Sequence, residues 1–362
     1  MRRSTIAALF STVLVLASGC GPGSGEAQSA ALGAEGMAGA DGHPFEVLTR
    51  NLYLGADLEP VIAATTLPGF LAATTEVWQD VVANDFHLRA VEVAQEIATV
   101  QPELVALQEA FLWRVQEPGD GGTTPATTVA YDYVADLLAA LAEHGQTYDA
   151  VVTLPLFDFE APTLLGIDVR ATDRQVILAR RGVEIANPRS GVYSVLLPLT
   201  VMGQTIHVPR GWTAVDVTLR GQAFTFFDTH LESFYAPVRM AQAMELAAVV
   251  NGTPGPIVLA GDLNSLPGTE GEAILAAPPE AGGAGLLDTW GKLHPTLPGF
   301  TCCGPELLSD PALTLDLRYD YVLLRDVRPL TARVFGDVPG ARTFGLWPSD
   351  HAGLTASLRI ER

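Results

Sequence analysis

Cysteine is nearly missing. The 362 residues hold three, Cys20, Cys302 and Cys303, which excludes a framework of several disulfides and a cysteine-rich zinc site. Cys302 and Cys303 are neighbours, so they are either bonded to each other in a small ring or two thiols of one loop. Basic charge is scarce as well: 21 Lys and Arg stand against 41 Asp and Glu, for a formal net charge of -20. Proteins that grip phosphate backbones carry a basic face, because counterion release supplies much of their affinity. Here a basic patch has to be local, for example around Arg170, Arg174, Arg180 and Arg181, and large polyanionic substrates are disfavoured. Charged residues make up only 17% and hydrophobic ones 48%, so a disordered chain is excluded and a sizeable core is available. Internal repeats and glycine-rich phosphate loops of either nucleotide-binding type are also lacking.

One apolar run stands at the start. "MRRSTIAALFSTVLVLASGC" places Arg2 and Arg3 before the stretch from Ile6 to Ala17 and then small residues. That is the layout of an export signal over residues 1–19, and the stretch is too short for a membrane span. The ending "LASGC" resembles a bacterial lipobox, which would lipidate Cys20 and tie the exported chain to a membrane without spanning it. Ordinary cleavage and secretion is the other outcome. Residues 20–44 are rich in Gly, Ala and Ser and read as a flexible tether. No linker divides residues 45–362, which read as one domain and a monomer, with no protein partner implied.

Within that domain, "FEVLTRNLYLG" (45–55) alternates as a strand does and stops at Gly55. Residues 76–101 place Phe86, Ala90, Val93, Ala94 and Ile97 at helical spacing, with Pro102 as the stop. Residues 131–145 predict a second helix closed by Gly145, and residues 237–252 a third closed by Gly252. "LVALQEA", "RQVILAR", "AVDVTL", "AFTFFDTHL", "PIVLAGDL", "YDYVLL" and "GLTASLRI" are strands. Strands dominate and helices intersperse irregularly, which fits an α/β sandwich of sheets faced by helices.

Polar residues cluster where these strands end: Asn51, Glu109, His230, Asp262 with Asn264, Asp320, and Asp350 with His351. Singly, each has a bland explanation, such as turn chemistry for Asp262 and Asn264 or a satisfied core imidazole for His230. Asp320 inside an apolar strand is harder to dismiss, because a buried carboxylate needs a partner. Together they offer oxygen ligands and imidazoles, a set suited to a hard cation such as Mg²⁺, with Mn²⁺ as a substitute, and to hydrolysis of a phosphate ester.

The ordered set "TRNLYLG", "ALQEA", "DTHLE", "LAGDLNS", "RYDYVLL" and "PSDHAGL" resembles the endonuclease/exonuclease/phosphatase, or DNase I-like, superfamily over essentially all of residues 45–362. The resemblance implies a four-layer α/β/β/α sandwich and a metal-dependent phosphoesterase. It also implies roles for the matching positions. Glu109 would be the principal Mg²⁺ ligand, helped by Asn51 and Asp350. Asp262 would position or deprotonate the attacking water, and Asn264 would hold the phosphate. His351 would contact the scissile phosphate, oriented by Asp320, and His230 would fill the second histidine position. In "TDRQVILAR", Asp173 or Arg174 either faces the phosphate or forms a strand-edge ion pair. In "PRGW", Arg210 either contacts phosphate or follows from the packing of Trp212. The substrate class is open: a phospholipid head group, a nucleotide or a nucleic acid. A secreted nuclease shares the mechanism, and a non-catalytic surface binding lipoprotein shares the fold.

Overall fold

A computed structural model describes residues 42–342 and 344–361. The export signal, Cys20 and the tether as far as residue 41 lie outside the described residues. Two sheets carry the fold. In the first, the strands run in the order Val327–Phe335, Gly353–Ile360, Phe45–Asn51, Leu104–Gln108, Asp168–Arg180, Leu112–Gln116 and Thr128–Asp132, and Tyr148–Pro162 also pairs with Asp168–Arg180. In the second, the order is Leu287–Asp288, Asp320–Arg325, Ile257–Asp262, Gln222–His230, Gly211–Leu219 and Glu184–Val192.

Side chains alternate faces along a strand, so residues two apart share an environment. Leu48 packs under the helices Phe86–Val100 and Tyr133–Glu143, whereas Val47 faces the second sheet. Ile257 and Leu259 meet the helix Ala236–Asn251, while Val258 and Ala260 face the first sheet. Three apolar layers therefore alternate with the sheets and helices, and the architecture is the expected four-layer α/β/β/α sandwich. Among the described residues no helix is long and apolar enough to cross a membrane.

Local chemistry explains where the expected elements changed. The single helix expected over 76–101 is two, Leu67–Ala83 and Phe86–Val100. Asn84 and Asp85 stand at the break: the Asp85 carboxylate caps the second helix by accepting from His87 N, and the Asn84 carboxamide donates to Gly55 O and Glu306 O. Side chains that bond backbone groups this readily favour caps over helix interiors. The helix expected at 131 starts at Tyr133, because Asp132 ends a strand and accepts from Val134 N and Ala135 N. Gly145, with φ 70°, follows its end.

Candidate active site

The same alternation that builds the inter-sheet core also builds the site. Counting by twos from Val47, Ala106, Ile177, Phe226, Val258 and Val322, all of which lie in that core, the strands turn polar at one edge. They reach Asn51, Gln108, Asp173, His230, Asp262 and Asp320 there, and every one of these is buried. Register aligns the ends: Asn51 sits opposite Gln108, His230 opposite Asp262, and Asp262 opposite Asp320. The segment before Gly353–Ile360 brings Asp350 and His351 to the same edge, because Leu354 pairs with Thr49. Two non-glycine residues of this edge adopt left-handed backbone, Glu109 (φ 52°) and Asn264 (φ 48°). Such conformations persist only where the surroundings impose them, and they concentrate at working sites.

Asp262 is the hub. One oxygen accepts from Asn264 N (2.8 Å) and the other from Asn51 Nδ2 (3.1 Å). The second oxygen also lies 3.6 Å from His230 Nε2 and 3.8 Å from His351 Nε2. His351 Nδ1 meets Asp320 Oδ2 at 2.8 Å. Asn51 Nδ2 reaches Glu109 Oε1 (3.3 Å), and Leu54 N donates to Glu109 Oε2 (2.7 Å). The Asn264 carboxamide donates to Leu231 O (2.9 Å), so part of its capacity is spent on the loop that carries it.

The two arginines separate. Arg210 reaches the site, with Nη1 at 2.9 Å from His230 Nδ1. Arg174 does not: its guanidinium donates to Ala110 O, Phe111 O and Asp132 Oδ1, so it braces the turn that carries Glu109. Asp173 pairs with Arg210 across 3.5 Å.

Electrostatics set the two histidines apart. Burial alone would lower His351, but the charges of Asp320 and Asp350 and the hydrogen bond to Asp320 push it up to about 10. Burial, then the Arg210 charge, then His351 hold His230 well below the usual imidazole range. Burial and the Asp320 charge raise Asp262 against the pull of His351, toward the neutral range where a carboxylate works as a base. Burial raises Asp350 to about 6, with His351 opposing and Glu109 adding to the rise.

That repulsion bears on a cation. The Glu109 charge is close enough to disfavour that of Asp350, and both also push the Tyr53 hydroxyl up. The Asn51 carboxamide turns Nδ2 toward Glu109 while its Oδ1 accepts from Tyr53 N, so the ligand atoms on this side are the carboxylate oxygens of Glu109 and Asp350, which suit a hard divalent ion. The residues present thus fit the metal expected from the sequence. The donor atoms of Asp262, Asp320 and His351 also lie within 4.8 Å of one another. Asp320 and His351 are already paired with each other at 2.8 Å, which disfavours a cation among these three.

Sequence inspection missed the residues that hold the edge together. Gln108 donates to Asp228 Oδ1 (2.7 Å) between the sheets, with both side chains fully buried. Arg50 donates to His351 O, and Ser349 Oγ to Asn51 O (2.8 Å). Arg89, on the buried stripe of its helix, donates to Leu52 O (2.7 Å), Tyr53 O (3.2 Å) and Pro348 O (3.0 Å), tying the loop after Asn51 to the His351 loop. A cation at a core-facing helical position is the signal that could have exposed it. Cys302 and Cys303 are bonded to each other, and their sulfurs lie within 4.8 Å of a His351 ring nitrogen. Thr301 beside them accepts Asp320 N (3.2 Å) and Ala352 N (2.7 Å), so this loop spans the Asp320–His351 pair.

The sequence profile of the Endonuclease/Exonuclease/phosphatase family matches residues 81–351. A search of curated protein sequences finds no match. Solved structures share the fold at low identity. An endonuclease/exonuclease/phosphatase family protein from Bacteroides thetaiotaomicron is 14% identical, covering 89% of this chain and 99% of its own, with a TM-score of 0.54. D. rerio TDP2 in complex with single strand DNA product is 17% identical, covering 87% and 98%, at 0.51. The mannosyl-6-phosphatase Bt3783 of Bacteroides thetaiotaomicron is 15% identical, covering 87% and 99%, at 0.50.

Proposed function

Because the chain belongs to the endonuclease/exonuclease/phosphatase family, we propose that it hydrolyses phosphate esters with a divalent cation, Mg²⁺ foremost, by in-line attack of water. One observation carries this: Asp262 lies between a histidine biased toward its charged form and one biased toward its neutral form, on the same edge as Glu109, Asn51 and Asp350. A cation held by Glu109 and Asp350 would neutralise charge on the phosphoryl group and leaving oxygen. Asp262 holds the attacking water and takes its proton. His351, kept protonated by Asp320, stabilises charge on the phosphoryl oxygens and is placed to give a proton to the leaving group. Asn264 adds a donor without adding negative charge.

Substrates of neighbours do not decide the substrate here, since the structures above include both a DNA complex and a sugar phosphatase. The surface speaks against a long polyanion. Each arginine of the patch visible in the sequence faces an acid: Arg170 with Asp158, Arg174 with Asp132, Arg180 with Glu103 and Arg181 with Asp149. A small phosphoester is therefore favoured over a nucleic acid. The full chain should be assayed with Mg²⁺ on a chromogenic phosphodiester, a phosphomonoester, sphingomyelin, phosphoinositides and DNA. Metal-dependent turnover of at least one, abolished by chelator, is expected; folded protein inert on all of them overturns the proposal.

Cation binding has its own readout. Mg²⁺ should raise the melting temperature of the wild type but not of Glu109→Ala. The rise should be larger at about pH 8 than at about pH 5.5. The sign follows from Asp350: its folded value of about 6 leaves it mostly protonated at the lower pH, and a proton must leave before the carboxylate can take a cation. An equal rise in the variant would remove Glu109 from the metal site.

A further inference from the structure

His230 and His351 approach the same Asp262 oxygen through Nε2, yet their other ring nitrogens have opposite partners. His351 Nδ1 faces a carboxylate, which can only accept, so Nδ1 must carry a proton. His230 Nδ1 faces the Arg210 guanidinium at 2.9 Å, and a guanidinium can only donate, so this Nδ1 must be a bare lone pair. We propose that Arg210 is a positioning residue that locks His230 as the neutral tautomer with its proton on Nε2. The ring then serves as a fixed hydrogen-bond donor to a phosphoryl oxygen and takes no part in proton transfer.

The surroundings leave His230 little choice. It is 3% exposed, so bulk water does not compete with Arg210 for Nδ1. The groups facing it are Arg210, which leads into the adjoining strand, Asp262 on the paired strand, and His351 opposite. Two of these three disfavour a second proton on the ring. Asp262, the one anion, is itself pulled toward its neutral form and lies on the Nε2 side, where the proton already is. Arg210 is held in turn by Asp173 Oδ2 at 3.5 Å. The site therefore divides labour between its imidazoles: one mobile proton on the Asp320-paired ring and one immobile donor on the Arg210-paired ring. Arg210, which from the sequence alone could contact phosphate or merely precede Trp212, thus acts through His230.

The catalytic consequence rests on the hydrolase proposal, but the tautomer does not, and the two are tested separately. In the full chain labelled with ¹⁵N in the histidine rings, with His230→Gln to assign the signal, long-range ¹H–¹⁵N correlation reports which nitrogen is protonated. His230 should show a bare Nδ1 and a protonated Nε2 throughout about pH 5.5–8, across the range where a free histidine titrates near about 6.5. Arg210→Met should release this, letting the ring proton distribute over Nδ1 and Nε2, and should lower kcat roughly tenfold, as loss of a supporting hydrogen bond typically does. Arg210→Lys, which keeps a donor-only cation one atom shorter, should restore the tautomer and most of the rate. A wild-type His230 that is protonated on Nδ1, or that titrates normally, overturns the proposal whether or not the enzyme is active. If the tautomer is as stated but no phosphoester is turned over, the hydrolase proposal fails alone.

Discussion

Replacing His351 with alanine is expected to lower kcat by roughly 10³-fold on any phosphoester the wild type hydrolyses, within the range that loss of a positioned acid–base group produces. The size of the effect follows from how many features converge on this imidazole. Asp320, fully buried, holds Nδ1 at 2.8 Å, and the opposite nitrogen points at Asp262. Its main chain is fixed as well, with Arg50 donating to its carbonyl and Ser349 Oγ accepting its N–H at 3.2 Å. A side chain fixed from both ends pays little entropy when it meets the transition state. Asp320→Asn should cost nearly as much, because a carboxamide stabilises the protonated ring far less than a carboxylate. Both variants should keep a melting-temperature rise with Mg²⁺, since Glu109 and Asp350 are untouched, but a smaller one in His351→Ala, which loses the charge that opposes the rise in Asp350. Steady-state kinetics on folded protein decides it: a His351→Ala enzyme within tenfold of wild type would place the proton chemistry elsewhere.

The fold was legible because its sheets obey a two-residue rhythm and its helices an apolar stripe. "IVLAGD" reads as a buried strand on either account, and it is one. The same rhythm held information that inspection of strand ends did not use. Thr49, Gln175 and Asp228 share the inter-sheet parity with the site residues and are fully or nearly fully buried one step further in. Looking only for polar residues that terminate strands picks out the rim and passes over this floor. The antiparallel pair Tyr148–Pro162 and Asp168–Arg180 was legible only in its "RQVILAR" half. Its outer strand is partly exposed along most of its length, so burial gave it no continuous apolar pattern. Arg174 was misleading for a different reason. A sequence gives a residue's type and its strand, whereas the contacts of a long side chain depend on a turn 60-odd residues away, here Ala110 and Phe111.

Gly261→Ala is expected to destabilise the protein by about 3–5 kcal/mol, with a fall in melting temperature of roughly 10 °C. Gly261 has φ 144°, a region that L-residues rarely adopt, and a Cβ built there would lie 2.0 Å from Thr229 O and 2.9 Å from Thr229 N. Neither obstacle is a side-chain tip that can swing away. Thr229 belongs to a central strand, paired with Trp212 on one side and Gly261 on the other, and its hydroxyl is bonded to Gly211 O (3.1 Å) and the Tyr193 hydroxyl (2.7 Å). Relief therefore requires parting two strands whose next residues are His230 and Asp262, so activity should fall with stability. Gly255, just before the same strand, separates the two costs. It also has positive φ (80°), but nothing lies within 4 Å of its Cβ position, so Gly255→Ala should lose only the backbone term, about 1 kcal/mol. Thermal melts of the two variants test the difference. If they melt within a degree or so of each other, close approach to Thr229 is not what requires glycine before Asp262, and turn chemistry alone would account for it.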